Sequence, residues 1–417
     1  MKEQYKGTYK LDRNAYILGG EPMIFHCHHY NVFLQASIEN AKDYIQVYPI
    51  LIDSAQEVAY SQFKNVFDKE ELSRMEKTNL IEELHVFAGY GTLDLSKATE
   101  EGGNAVSKMN HHAEGWKSKF GARKEDEQGV CFFTSGFIAG ALDAIVGELG
   151  RYSVEQILCV TKEDATNGFK ITRNAELKTS LEESPQEGVF QSGIELQNHP
   201  DSNVNYVGIR EALTGMPIEG GEDGLISVFG VMLTRMYSNY YTLISCRFLQ
   251  EMEENVGEMG IQMAEDLLIE AGHVCAFNTF GGIMESAEWE GLIKPMLKTR
   301  EDWVHGIVAC LNSLGWGHIS IKELVANKKL VLEVKSGYEN NMYKKRISSS
   351  ERPMALFKVG ATAGIMNLIY HGDITENPNL TEAYYQKIFK AEGRFVGKQI
   401  KCRSMGDEFD EFIATHS

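Results

Sequence analysis

The chain has 417 residues, 43% of them hydrophobic, with 41 Lys and Arg against 59 Asp and Glu for a formal net charge of −18. A chain of this length can bury two domain-sized cores, and its charge repels phosphate backbones and anionic lipid surfaces, so neither nucleic acid nor membrane is expected as a partner. The opening "MKEQYKGTYKLDRNAYILGG" lacks an apolar signal core, no run of eighteen uninterrupted apolar residues follows, and the seven cysteines show no C-x-x-C, which predicts a cytoplasmic protein with free thiols.

"FHCHHYN" (25–31) opens the first predicted helix, read over 24–38, on which His26, His29 and Phe33 are one-turn neighbours while His28 points elsewhere. A second helix-like stretch, "DSAQEVAYSQFKNVF", covers 53–67. The alternation in "GYGTLDLS" (89–96) predicts a strand with one buried face. A second histidine cluster, "NHHAEGW" (110–116), precedes "VCFFTSGFIAGALDAIVG" (130–147), whose glycine-spaced apolar run predicts a helix packed closely on a sheet. "CVTKEDATNGF" (159–169) ends this half, and the polar, turn-rich stretch around 177–208 predicts a linker.

The series then returns. "GYGTLDLS" matches "GWGHISIK" (315–322), and "VCFFTSGFIAGALDAIVG" matches "MALFKVGATAGIMNLIYHG" (354–372), with Phe133, Gly136, Ala139 and Gly140 falling on Phe357, Gly360, Ala363 and Gly364. "CVTKEDATNGF" matches "CRSMGDEFDEF" (402–412), and one insertion near "DITENPNLTEAYYQKIFKAEG" reconciles the spacings. Upstream, 53–67 aligns loosely with 267–280, and "HCHHYN" falls opposite "MYSNYY". Self-similarity of this kind marks a duplicated domain. The expected organisation is repeat one at 1–180, a linker at 181–219 and a degenerate repeat two at 220–417, each of α+β class.

"NHHAEGWKSKFGARKEDEQGVCFFTSGFIAGALDAIVG" followed by "CVTKEDATNGF" resembles the vinyl-reductase-like domain, a family named after bacteriochlorophyll biosynthesis proteins and present as the phenol-sensing N-terminal module of certain bacterial transcription activators. The resemblance implies a small domain with an antiparallel sheet against helices, pairing of two such domains, here as an intramolecular pseudo-dimer with room for a further homodimer, and a pocket for apolar ligands. It also implies a zinc ion held near the domain's end by cysteines and a glutamate. This chain has Gln156, Cys159 and Asn167 at the relevant positions of the first copy and Gln399, Cys402 and Asp410 in the second, so that zinc is expected to be lost.

Six of the chain's twelve histidines fall within the first 112 residues, and the second copy keeps none at the matching "MYSNYY" and "SGYENNM". Two imidazoles on one helix face can share a metal, so His26, His29, His111 and His112 are the candidate ligands of a transition metal, iron more than zinc. Glu114 would serve as general base and Tyr30 as a second catalytic group, with Phe33, Phe87, Tyr90, Trp116 and Phe132 lining a pocket for a small aromatic or apolar molecule. The preferred function is metal-dependent, oxidative chemistry on that molecule. The alternative is a non-catalytic small-molecule or pigment-intermediate binding, carrier or sensory protein. The absence of ATPase and DNA-binding motifs counts against the sensory form but not against a carrier, and the absence of G-x-S-x-G and dinucleotide motifs argues against a serine hydrolase or a Rossmann reductase.

Overall fold

The computed structural model describes residues 5–184, 193–340 and 349–417. Parts of the expected linker (185–192) and of the "SGYENNM" match (341–342) lie outside the described residues.

The first half runs β1 (Thr8–Lys10), β2 (Ala15–Leu18), β3 (Glu21–Cys27), α1 (His28–Glu39), α2 (Val47–Phe67), α3 (Arg74–Phe87), β4 (Ala98–Thr99), β5 (Gly102–Ser107), α4 (His111–Phe120), α5 (Phe132–Val146), β6 (Tyr152–Leu158) and β7 (Asn167–Arg173). Then follow α6 (Tyr206–Thr214), β8 (Ile226–Val228), β9 (Val231–Tyr237), α7 (Ser238–Val256), α8 (Glu258–Cys275), α9 (Gly281–Met284), α10 (Ala287–Leu292), α11 (Arg300–Ser313), β10 (His318–Val325), β11 (Lys329–Lys335), α12 (Leu356–Met366), α13 (Glu382–Phe389), β12 (Phe395–Lys401) and β13 (Asp410–His416). The expected α+β class is what the structure shows, with every sheet antiparallel. The expected linker carries a helix of its own, α6, packed on α11.

The halves are built alike. Sheet order β4-β5-β7-β6 in the first is repeated by β10-β11-β13-β12 in the second, and a third sheet, β1-β2-β3-β9-β8, is shared. Its hairpins turn at Gly19–Gly20 and Phe229–Gly230, all four residues with positive φ (59°, 84°, 55° and 68°), the conformation that matches strand twist in a two-residue hairpin. Strand β3 pairs with β9, and Phe25 faces Arg235, its own counterpart in the repeat, so an approximate two-fold axis passes between these residues.

The shared sheet corrects the first predicted element. Residues 24–27 are strand, and the helix begins only at His28, with Cys27 extended (φ −84°, ψ 161°) as its N-cap. Ladder hydrogen bonds to β9 outweigh the local helical pattern there. "GYGTLDLS" is also less regular than expected, forming only the bridges Gly91 to Asn110 and Asp94 to Val106, whereas its match forms the full strand β10.

The glycine-spaced helices form as predicted but turn their glycines toward a helix. A Cβ on Gly136 would lie 2.1 Å from the Ile52 carbonyl oxygen, and one on Gly140 2.1 Å from that of Gln56, so α5 seats directly on the α2 backbone. Gly360 repeats the contact against Ile269 O at 2.0 Å, seating α12 on α8.

Each half lends its central strand and following helix to the other. Helix α1 packs on α8 and α7 on α2. Phe25 N donates to Leu314 O (3.1 Å) and Trp316 Nε1 to Phe25 O (3.1 Å). Across the axis, Arg235 N donates to Ala88 O (2.8 Å) and Tyr90 OH to Arg235 O (2.5 Å). The helical stretch 258–284 is apolar and long enough to cross a membrane by length and composition, yet 67% of its apolar window is buried inside the protein.

Candidate functional site

Strand β3 carries His26 across the two-fold axis into the body of the second half. Its ring stacks on Tyr30 (centroids 4.3 Å), meets Tyr241, Phe357 and Tyr338 edge-on (4.8, 5.1 and 6.0 Å) and tilts against Trp316 at 4.7 Å. Four of these rings close a circuit: Tyr30 to Tyr241 5.2 Å, Tyr241 to Tyr338 6.3 Å, Tyr338 to Phe357 6.4 Å and Phe357 back to Tyr30 4.8 Å. The same four, with Glu339, Thr242, Ser245 and Cys246 among the rest, line a cavity of ≈ 20 Å³. That is room for a water molecule or the head of a small ligand.

The imidazole and the three phenols of this basket are shifted away from neutrality. Burial, then the Lys358 charge, pushes the His26 imidazole well below its usual range, and Tyr338 OH (3.4 Å) and Cys275 Sγ (3.7 Å) flank its two nitrogens. Burial raises the Tyr30, Tyr241 and Tyr338 hydroxyls well above theirs. Helix α12 has no side-chain cap of its own, and Glu339 takes that role by accepting from Phe357 N at 3.1 Å. Its other oxygen binds Lys358 Nζ (2.8 Å), with the two side chains 11% and 5% exposed. Burial raises the Glu339 pKa against this partner's opposing pull, and Lys358 Nζ also lies 3.9 Å from the Tyr338 ring centroid.

The predicted ligand set does not converge. His26 lies in the strand and enters the other half, whereas His29, part-exposed on α1, stays beside His28 (3.9 Å) with its pKa pushed down to about 3 by burial and by His28. Because the helix starts after His26, the one-turn relation that would have joined the two imidazoles does not exist. His111 Nε2 is taken by Asn31 Nδ2 (2.9 Å), an amide that also donates to Thr234 Oγ1 (3.1 Å) and accepts from Tyr241 OH. His112 stacks on Phe133 (5.5 Å), and burial takes its pKa down to about 3. Among the described residues, no group of three or more His, Cys, Asp or Glu is placed to hold a metal ion.

Of the predicted catalytic pair, Tyr30 lines the cavity, whereas Glu114 sits part-buried in the first turn of α4. The predicted pocket residues are scattered. Phe33 lies under Lys119 (5.6 Å), Trp116 under Arg123 (4.5 Å), Phe87 under Arg235 (4.3 Å), and Phe132 against Tyr48 (5.1 Å), while Tyr90 is the first-half counterpart of Trp316. The sequence patterns do not point to Tyr241, Tyr338, Phe357 or Glu339 as site residues. The signal that could have found them is the repeat itself, since "MYSNYY" ends in Tyr241 and Phe357 is the match of Phe133.

The positions matched to the family's zinc ligands are tied together by hydrogen bonds. Gln156 accepts from Cys131 N (2.8 Å) and donates to Leu158 O (3.0 Å) and Asn167 Oδ1 (3.2 Å), and Asn167 Oδ1 also accepts from Val160 N (3.2 Å). The second half repeats this through Gln399 and Asp410: Ala355 N to Gln399 (3.2 Å), Gln399 to Lys401 O (3.1 Å) and to Asp410 Oδ1 (3.1 Å), and Arg403 N to Asp410 Oδ1 (2.8 Å). Cys159 and Cys402 each lie 3.0 Å from a hydroxyl, of Thr161 and Ser404.

No described protein family matches the chain, and no curated protein does. Among solved structures, the phenol-responsive sensory domain of the transcription activator PoxR with phenol is similar at 10% identity, over 47% of this chain and 82% of that one, with a TM-score of 0.32. A likeness that shallow carries no argument about what this chain binds.

Proposed function

We propose that the chain is a non-catalytic binding protein that holds a small molecule in the cavity lined by Tyr30, Tyr241, Tyr338 and Phe357, in the manner of a carrier or sensor. The observation that carries this reading is the cavity's composition. Its walls come from both halves, Tyr30 from the first and Tyr241, Tyr338 and Phe357 from the second, so an occupant is gripped where the halves interlock. General acid or base catalysis needs a group whose pKa lies near the working pH; here burial pushes the imidazole down and the phenols up. These groups are suited to recognition, the hydroxyls as donors and the rings as walls.

Thermal unfolding against a panel of small amines, alcohols and phenols tests the proposal. A ligand of the folded state raises Tm in a concentration-dependent way, and the shift is expected for wild type and lost in Tyr30→Leu and Phe357→Leu. A compound that shifts wild type and both variants equally would show that binding, if any, occurs elsewhere.

A further inference from the structure

The ring-lined cavity is too small to be a whole binding site. Its ≈ 20 Å³ admits little more than a head group, whereas ligand pockets run to about 300–1,000 Å³. A second cavity of ≈ 410 Å³ lies beside it, and Cys246 and Met354 line both. We infer that the two are the inner and outer parts of one site, joined past Cys246 and Met354, and that its ligand is an elongated, uncharged molecule with a small polar head among the rings and an aliphatic tail in the outer cavity. This assignment rests on the small-molecule reading above.

The wall between the cavities is one that can move. Methionine is unbranched and adapts its shape to what it packs against. Met354 is half-buried, and Cys246 is the one cysteine of the seven that is not fully buried, so neither side chain is locked in the core. Aliphatic side chains continue across the junction, Leu268 and Leu356 on the inner side and Leu249 and Ile261 on the outer, and give a chain of methylenes apolar contact along its length. The charges at both ends are already matched. In the inner cavity the Glu339 carboxylate binds Lys358 Nζ (2.8 Å) and Phe357 N (3.1 Å). In the outer cavity the Arg352 guanidinium binds Glu258 (3.1 Å) and lies 3.6 and 3.7 Å from Glu253 and Glu265. An ionic head would therefore be buried without a counter-ion, a cost that an uncharged hydroxyl, with Thr242 and Ser245 as hydrogen-bond partners, does not incur.

The test is isothermal titration of the full chain with 1-propanol and 1-heptanol, and with heptylamine and heptanoate as charged counterparts. From propanol to heptanol the affinity should rise about two- to fourfold for each added methylene, the gain from burying it. Heptanol should bind about tenfold or more tightly than either charged counterpart, which buries an ion without a partner. At about ten times its Kd, heptanol should slow alkylation of Cys246 by iodoacetamide about tenfold, in step with the fraction of empty sites, as read by mass spectrometry. Cys246→Phe, which fills the junction, should weaken heptanol about tenfold, while Cys246→Ser should stay within about twofold. If Cys246→Phe does not fold, seen by circular dichroism, protection of the wild-type thiol decides. No gain from propanol to heptanol, or a gain with Cys246 alkylated at its unliganded rate, would overturn the two-part site. Equal binding of heptylamine or heptanoate would overturn the uncharged head. Either result, with binding lost in Phe357→Leu, leaves the small-molecule reading standing. Binding that survives Phe357→Leu, or none by any of the four compounds, would overturn both.

Discussion

Replacing His112 by Phe should make the protein more tolerant of acid. The His112 ring is buried against Phe133, and one of its nitrogens, Nδ1, has no hydrogen-bond partner. Burial lowers its folded-state pKa from 6.5 to about 3. A depressed imidazole pKa means the unfolded chain takes up the proton first. The stability from keeping this ring neutral is therefore fully present above pH 6.5 and is lost progressively as pH falls toward 3. Between pH 7 and pH 5, protonation of the unfolded side chain removes about 2 kcal/mol, while the folded side chain stays neutral.

Other groups act in the opposite sense over the same window. Glu21, raised to about 8, and Asp143, raised to about 7, both mainly by burial, bind protons more readily in the folded state and so stabilise it as pH falls. The stability of wild type alone therefore mixes the two. The difference between wild type and His112→Phe cancels the carboxylates, which both chains carry, to the extent that the sites are independent. Phe is the apt replacement because the second half places Tyr338 at the equivalent position, against Phe357 (6.4 Å). Urea unfolding followed by circular dichroism at pH 7, 6 and 5 should show the gap between variant and wild type moving in favour of the variant by about 2 kcal/mol. Parallel stability curves across that range would refute the reasoning, since they would mean that His112 titrates alike folded and unfolded.

Three further outcomes are expected. Gly136→Ala should destabilise by about 1–3 kcal/mol or more, because its Cβ would meet the Ile52 carbonyl oxygen at 2.1 Å, whereas Gly291→Ala, with nothing within 4 Å, should leave Tm unchanged or raise it. Glu339→Ala should cost about 3–5 kcal/mol in chemical denaturation by stranding Lys358, and adding Lys358→Met should restore much of the loss; no recovery in the double variant would show that Glu339 acts chiefly as the α12 cap. Protein purified without chelator and then loaded anaerobically with iron or zinc should hold less than about a tenth of an equivalent by elemental analysis, since the candidate imidazoles His26, His29, His111 and His112 do not converge; stoichiometric metal lost in His29→Ala would contradict that geometry.

The amino-acid sequence by itself determined the α+β class and the repetition of the halves. Such features follow from spacings along the chain: the glycines at 136 and 140 that return at 360 and 364, and Gln156, Cys159 and Asn167 that return as Gln399, Cys402 and Asp410. It also drew attention to His26 and Tyr30, two side chains of the basket. It could not place them, because "FHCHHYN" carries a helical pattern and only pairing with β9, more than two hundred residues away, makes 24–27 a strand. That one change of backbone sends His26 across the axis while His29 remains on α1, so the metal set that looked contiguous in sequence comes apart. Tertiary structure alone decided that each half lends its strand and helix to the other and that the cavity lies where Tyr30 meets Tyr241, Tyr338 and Phe357. A side chain's neighbours across a two-fold axis are set by long-range pairing and burial, which no local spacing encodes.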